Sequence, residues 1–272
     1  MDHAFSLQLP RSLTPRTEIP PIMKTRNIFF AAASAAAFVW NPLSVNATVS
    51  SGDLALIGMG ADTDYKRLDF VVLKTIQAGE VIRFTDSGWL SSGSFRGNEG
   101  GAVYTFPTIA LPGTVVSASG TNGATWGANT NWSSGDDVTV GTNGMNFSTS
   151  GDSILVFTGT SAEPNFVFGL STLPYVATST SSSNTAIPLG LNLGVNALNK
   201  SSGTSDFDNI YYSGTTTFTS AAEALAAIAN SENWTGNNTT YSPLSSFVAI
   251  PEPSAALLGA LGILGVFRRR RR

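Results

Sequence analysis

The 272-residue chain contains no cysteine and a single histidine, His3. Without thiols it can form neither a disulfide nor a thiolate metal site. His3 lies upstream of the cleavage point derived below, so the mature protein is expected to carry no imidazole. Ser-His-Asp and Cys-His machinery and histidine-ligated zinc or iron are thereby excluded. Carboxylate, Lys and Tyr chemistry is what remains. Charge is scarce and unevenly placed. Between Thr48 and Ile250 there are six bases against fifteen acids, a net of −9, although the whole chain sums to −3. Phosphate recognition needs clustered Lys and Arg, so nucleic acid is not an expected partner. A body of about 200 residues can bury a core without disulfides.

The apolar runs are concentrated at the two ends. Lys24 and Arg26 precede an apolar stretch at 28–40, and Val45-Asn46-Ala47 follows as a small-residue cleavage site. This is the layout of a secretory signal, assigned to residues 23–47 with cleavage after Ala47. Residues 1–22 hold four prolines and no apolar periodicity, and read as an extended n-region or a start called too early.

Between the ends, short β-like runs alternate with Gly, Ser, Asn and Thr clusters. Strands are expected at 54–58, 69–74, 81–85, 102–106, 114–119, 137–140, 153–158, 166–170 and 186–189. In Val81-Ile82-Arg83-Phe84 the alternation suits a sheet with one wet face, whereas Ile154-Leu155-Val156-Phe157 reads as a central strand buried on both sides. One late helix is expected. Ser220 is its N-cap, Glu223 completes a capping box, and Leu225 and Ile228 would dock it, with Trp234 nearby. Residues 242–250 read as a final strand or linker. Many short strands with Gly-rich turns and one helix make the body, residues 48–250, an all-β sandwich.

Three kinds of site are worth testing in that body. Asp62 with Asp64, and Asp206 with Asp208, are Asp-x-Asp pairs that could offer calcium two oxygens each; the alternative is Asx-turn chemistry. Asp136 and Asp137 form a third acidic pair. Trp126 and Trp132 lie in Gly/Asn/Ser-rich segments and could form a platform for a sugar. Glu80, Asp86 and Glu99, with Trp89 near them, are the carboxylates from which a glycosidase would draw its acid and base. Asn-x-Ser/Thr triplets, among them those at Asn131, Asn146, Asn199, Asn233 and Asn238, match the glycosylation acceptor pattern that a Ser/Thr/Asn-rich chain also produces by chance.

The C-terminal residues 251–272 are the most specific feature. Pro251-Glu252-Pro253 is an extended segment, because proline fixes φ and lacks an N–H. An uncharged apolar run follows at 255–267, and then five arginines, Arg268, Arg269, Arg270, Arg271 and Arg272. The run has no polar face and is short for a permanent span of a roughly 30 Å core. Arginines in that position stay on the cytoplasmic side. The arrangement resembles the PEP-CTERM sorting signal of exported bacterial proteins. That resemblance implies an inner-membrane intermediate, processing by the membrane protease exosortase, and association with exopolysaccharide and biofilm.

The body has a resemblance of its own. Gly52-Asp53-Leu54-Ala55-Leu56-Ile57-Gly58, Asp69-Phe70-Val71-Val72-Leu73 and Phe84-Thr85-Asp86-Ser87-Gly88-Trp89, with Glu99-Gly100 and the Gly151 to Phe157 string, resemble secreted bacterial domains related to the lamin-tail Ig-like fold. This implies an Ig-like interaction or scaffold module with no catalytic residues. Together the two resemblances lead to an expected non-enzymatic protein of the cell surface or extracellular matrix. A carbohydrate-binding module and a carboxylate glycosidase are the alternatives.

Overall fold

A computed structural model describes residues 48–248, except 63–65, 98, 121–125, 127–130, 135–143, 202–205 and 243. The secretory and sorting segments, Ala47, Asp64, Asp136, Asp137 and the strand expected at 137–140 lie outside the described residues.

Two sheets carry the body. The first has the order β11-β10-β1-β2-β5, built from β1 (Leu54–Gly60), β2 (Lys66–Val72), β5 (Val115–Gly120), β10 (Asn209–Tyr212) and β11 (Trp234–Asn237). All its neighbours are antiparallel. The second has the order β6-β4-β3-β7-β8-β9, from β3 (Val81–Thr85), β4 (Gly101–Thr105), β6 (Trp132–Ser134), β7 (Ser153–Gly159), β8 (Pro164–Ser171) and β9 (Ala197–Asn199). Only the β8–β9 pair is parallel.

The sheets face one another across an aromatic centre. Phe70 on β2 meets Phe84 at 5.5 Å and Tyr104 at 5.6 Å between ring centroids, and Trp132 closes on Phe84 at 5.4 Å. Edge-on and tilted contacts of this kind add to the burial of the rings themselves. The described residues thus form an all-β sandwich with one short α-helix.

Local chemistry explains the elements. β3 alternates half-buried Val81 and Arg83 with fully buried Ile82 and Phe84. β7 is buried on both faces because one packs against the first sheet and the other lies under covering segments. Ile154 and Val156 enter the main core, while Leu155 and Phe157 enter a second cluster with Phe166, Leu191 and Ala197. Helix α1 (Ala221–Ile228) begins where the Ser220 hydroxyl accepts the Glu223 N–H at 3.2 Å. The Glu223 carboxylate in turn accepts the N–H of Thr219 at 2.9 Å, one residue ahead of the expected capping-box partner. Ala224 and Ile228 are buried, and Leu225 is partly so. The Trp234 indole N–H caps the helix end by donating to the Ile228 carbonyl at 2.7 Å.

The strand expected at 186–189 is absent. Pro188 has no N–H for a ladder, and the chain there runs into a turn at Leu189. β6, β9, β10 and β11, each three or four residues long, were not anticipated.

Candidate functional site

Antiparallel pairing gathers three acids at one end of the second sheet. Thr85, the last residue of β3, pairs with Gly101 of β4 and Leu155 of β7. Asp86 after β3, Glu99 before β4 and Asp152 before β7 therefore converge. Asp86 and Asp152 are each 2% exposed.

Their oxygens hold backbone. Asp86 accepts the Asn146 N–H at 2.6 Å, and Asp152 accepts those of Ser148 at 2.9 Å and Ser153 at 2.7 Å. The clamped segment delivers Met145 and Phe147 into the core. Gly100 lies so close beneath Gly144 that a methyl there would collide with its carbonyl group. Gly151, in the left-handed region at φ 89°, lets the chain turn into Asp152.

Burial first, and then repulsion from Asp86, pushes the Glu99 carboxyl up to about 7 against the opposing charge of Arg96. The same two causes push Asp152 well above the carboxylate range, although two backbone N–H donors oppose them. Carboxylates committed to backbone donors and sealed from solvent act as a structural clamp. Glu80 lies at the other end of β3, six residue steps from Asp86, or roughly 20 Å. A glycosidase pair needs about 5 to 9.5 Å, so these two cannot serve as one.

The tryptophans correct an expectation. Trp126 is fully buried, with its indole N–H donating to the Met145 carbonyl at 2.7 Å and its ring 5.2 Å from Phe147. Trp132 is 7% exposed, in the aromatic centre beside Tyr104 at 4.8 Å. Neither presents a face to a sugar. Burying these large rings gains more than leaving them on loops, and the flanking Gly and Ser residues give no sign of it. Trp89 is half-buried, edge-on to Phe95 at 4.9 Å and Phe166 at 5.0 Å in the second cluster.

The acidic pairs are sorted by the fold rather than by their spacing. Asp208 faces Asp62, which accepts the Asn209 amide N–H at 3.0 Å, and Asp206 lies beside Gly151. Lys66, 3% exposed, donates to the Ala61 carbonyl at 2.8 Å and lies within the field of Asp62 and Asp208. Burial holds its ammonium below the usual lysine range despite those anions. Lys66 thus lends positive charge to the surroundings of Asp62 and Asp208, and of Asp152. Among the described residues no group of three or more His, Cys, Asp or Glu is arranged to hold a metal ion.

Two features escaped sequence reasoning. One is Asp152, joined to Asp86 only through strand pairing. The other is Tyr241, which crosses the outer face of the first sheet above Gly58 and Gly60 and donates its hydroxyl to the buried Asp69. Two glycines in one strand signal a close approach of something else, and could have pointed to it. An open groove of about 490 Å³ lies between β9 and the end of α1, lined by Leu193, Leu198, Ala229 and Asn230 among others. No described helix is long and apolar enough to cross a membrane.

No protein-family model matches this chain, and no curated protein or solved structure matches it.

Proposed function

We propose that this chain is an exported, non-enzymatic protein of the cell surface or extracellular matrix. An N-terminal signal ending at Ala47 delivers it. A PEP-CTERM-type signal at 251–272 then holds it at the inner membrane until exosortase processes it. Its body is an Ig-like sandwich of the lamin-tail type, whose expected surroundings are exopolysaccharide and biofilm.

One observation carries the reading. Pro251-Glu252-Pro253, a short uncharged apolar run and five arginines stand together in that order, with a secretory signal at the opposite end. The packing of the body supports it. Val49, 1% exposed, and Phe247, 7% exposed, put the first and last core residues close inside the two processing points. The non-enzymatic part is supported by the lack of imidazole and thiol, by the burial of Asp86 and Asp152, and by the wide separation of Glu80 from Asp86.

Intact-mass analysis of the secreted protein tests the reading. The expected species begins at Thr48 and lacks 255–272. A secreted protein that still carries Arg268 to Arg272 would overturn it.

A further inference from the structure

The end of the body is strapped onto the sandwich. Asn237 turns the chain back, its side-chain oxygen accepting the N–H of Thr239 at 3.0 Å and of Thr240 at 2.7 Å. Tyr241 then lies over Gly58 and Gly60, bonded to Asp69 and edge-on to Tyr211 at 6.1 Å. Ser245 and Ser246 are exposed. Phe247 re-enters the protein, stacked on Phe218 at 5.7 Å and tilted against Tyr212 at 5.9 Å. The Val248 N–H donates to the Thr216 carbonyl at 2.9 Å.

We propose that residues 241–248 form a latch that governs access to the sorting sequence, and that Pro251-Glu252-Pro253 is processed efficiently only after Phe247 leaves its slot. The proposal rests on the sorting reading above.

Reach is the first reason. Three residue steps separate Val248 from Pro251, at most about 11 Å of extended chain. With Phe247 and Leu244 released and Tyr241 still seated, ten steps join Tyr241 to Pro251, at most about 35 Å. Backbone availability is the second. An enzyme that takes an extended peptide reads main-chain donors and alternate side chains on either side of the bond it cuts. On the N-terminal side these include Phe247, whose ring is buried, and Val248, whose N–H is already engaged. The third is where the strap is weak. Between Tyr241 and Val248 the described part of the strap holds one buried ring, the partly buried Leu244 and one backbone bond to Thr216, far fewer ties than either sheet has, so it opens before they do. Tyr241, seated in the glycine gap, is where the peeling stops.

The test follows tail removal in a host that carries exosortase, using the full chain, pulse-labelled and read by intact mass. Two variants accompany it: Phe247→Ala, and an insertion of twelve Gly/Ser residues between Val248 and Ala249 that leaves the latch intact but lengthens the reach. Both are expected to lose the arginine tail at least three-fold faster than the wild type. Hydrogen exchange on the detergent-solubilised full chain is expected to show a protected Val248 amide, with the protection lost in Phe247→Ala. Equal processing rates, acceleration of one variant alone, or an unprotected Val248 amide in the wild type would each overturn the latch while leaving sorting in place. If no tail is removed from any of the three, the sorting reading itself fails and the latch falls with it.

Discussion

Tyr241 and Asp69 meet across 172 residues of sequence, the phenol donating to a carboxylate that is 2% exposed. The gap they occupy exists because a bulge between Leu56 and Gly58 resets β1, so that the two glycines face outward. Burial raises the Asp69 carboxyl above its ordinary range, and hydrogen bonds from Ser117 and Tyr241 oppose that rise.

Tyr241→Phe removes one of the donors that reach this buried carboxylate. The expected loss is about 1–3 kcal/mol, the range for stranding a buried polar group. Gly58→Ala should cost a similar amount, about 1–3 kcal/mol, because its methyl would displace the tyrosine hydroxyl. Urea denaturation checks both: the midpoint should fall with the m-value unchanged.

The protein should be more stable in mild acid than at neutral pH. The Glu99 carboxyl rises from 4.5 to about 7 on folding, and Asp152 is also raised. Between those values the native state keeps protons that the unfolded chain has released. Unfolding then releases protons and becomes easier as pH rises. The melting temperature should therefore fall from pH 5 to pH 8, and Glu99→Gln should flatten the slope. An unchanged slope in that variant would remove Glu99 as its source.

The two buried indoles should respond differently to Phe. Trp126→Phe strands the Met145 carbonyl, whose indole donor lies at 2.7 Å. The Trp132 indole N–H is buried with no acceptor among the described residues, so Trp132→Phe relieves an unsatisfied donor while giving up ring volume. Trp126→Phe should be the more damaging by about 1 kcal/mol or more. Thermal denaturation of the pair settles the order, and neither change should alter binding to a polysaccharide panel.

Ser220→Ala should cost about 1 kcal/mol through loss of the helix cap, while Ser220→Asn should retain most of it. Denaturant midpoints of the two variants provide the comparison.

Much of the architecture could be read from local pattern. β3 lies where Val81-Ile82-Arg83-Phe84 alternates, the two-sided burial of β7 follows from four consecutive apolar residues, and Ser220 marks the start of the helix. The short strands could not be read. Trp234-Thr235-Gly236-Asn237 has neither the length nor the alternation of a strand, and becomes one only by pairing with β10. The site was harder. Asp86 was visible, but its relation to Asp152 arises from strand ends that meet across 66 positions. The tryptophans misled because the polarity of their neighbours reports on turns rather than on ring burial.

β7 divides the interior into two compartments at a single strand. Ile154 and Val156 belong to the space between the sheets, and Leu155 and Phe157 to the space beneath the covering segments that bring in Trp89, Phe95, Tyr175 and Ile187. Consecutive residues thus answer to different structures. Truncating Val156 would strike the joint between the sheets. Truncating Leu155 would loosen only the cover, so that one layer could be shed or remodelled while the sandwich beneath it stayed closed.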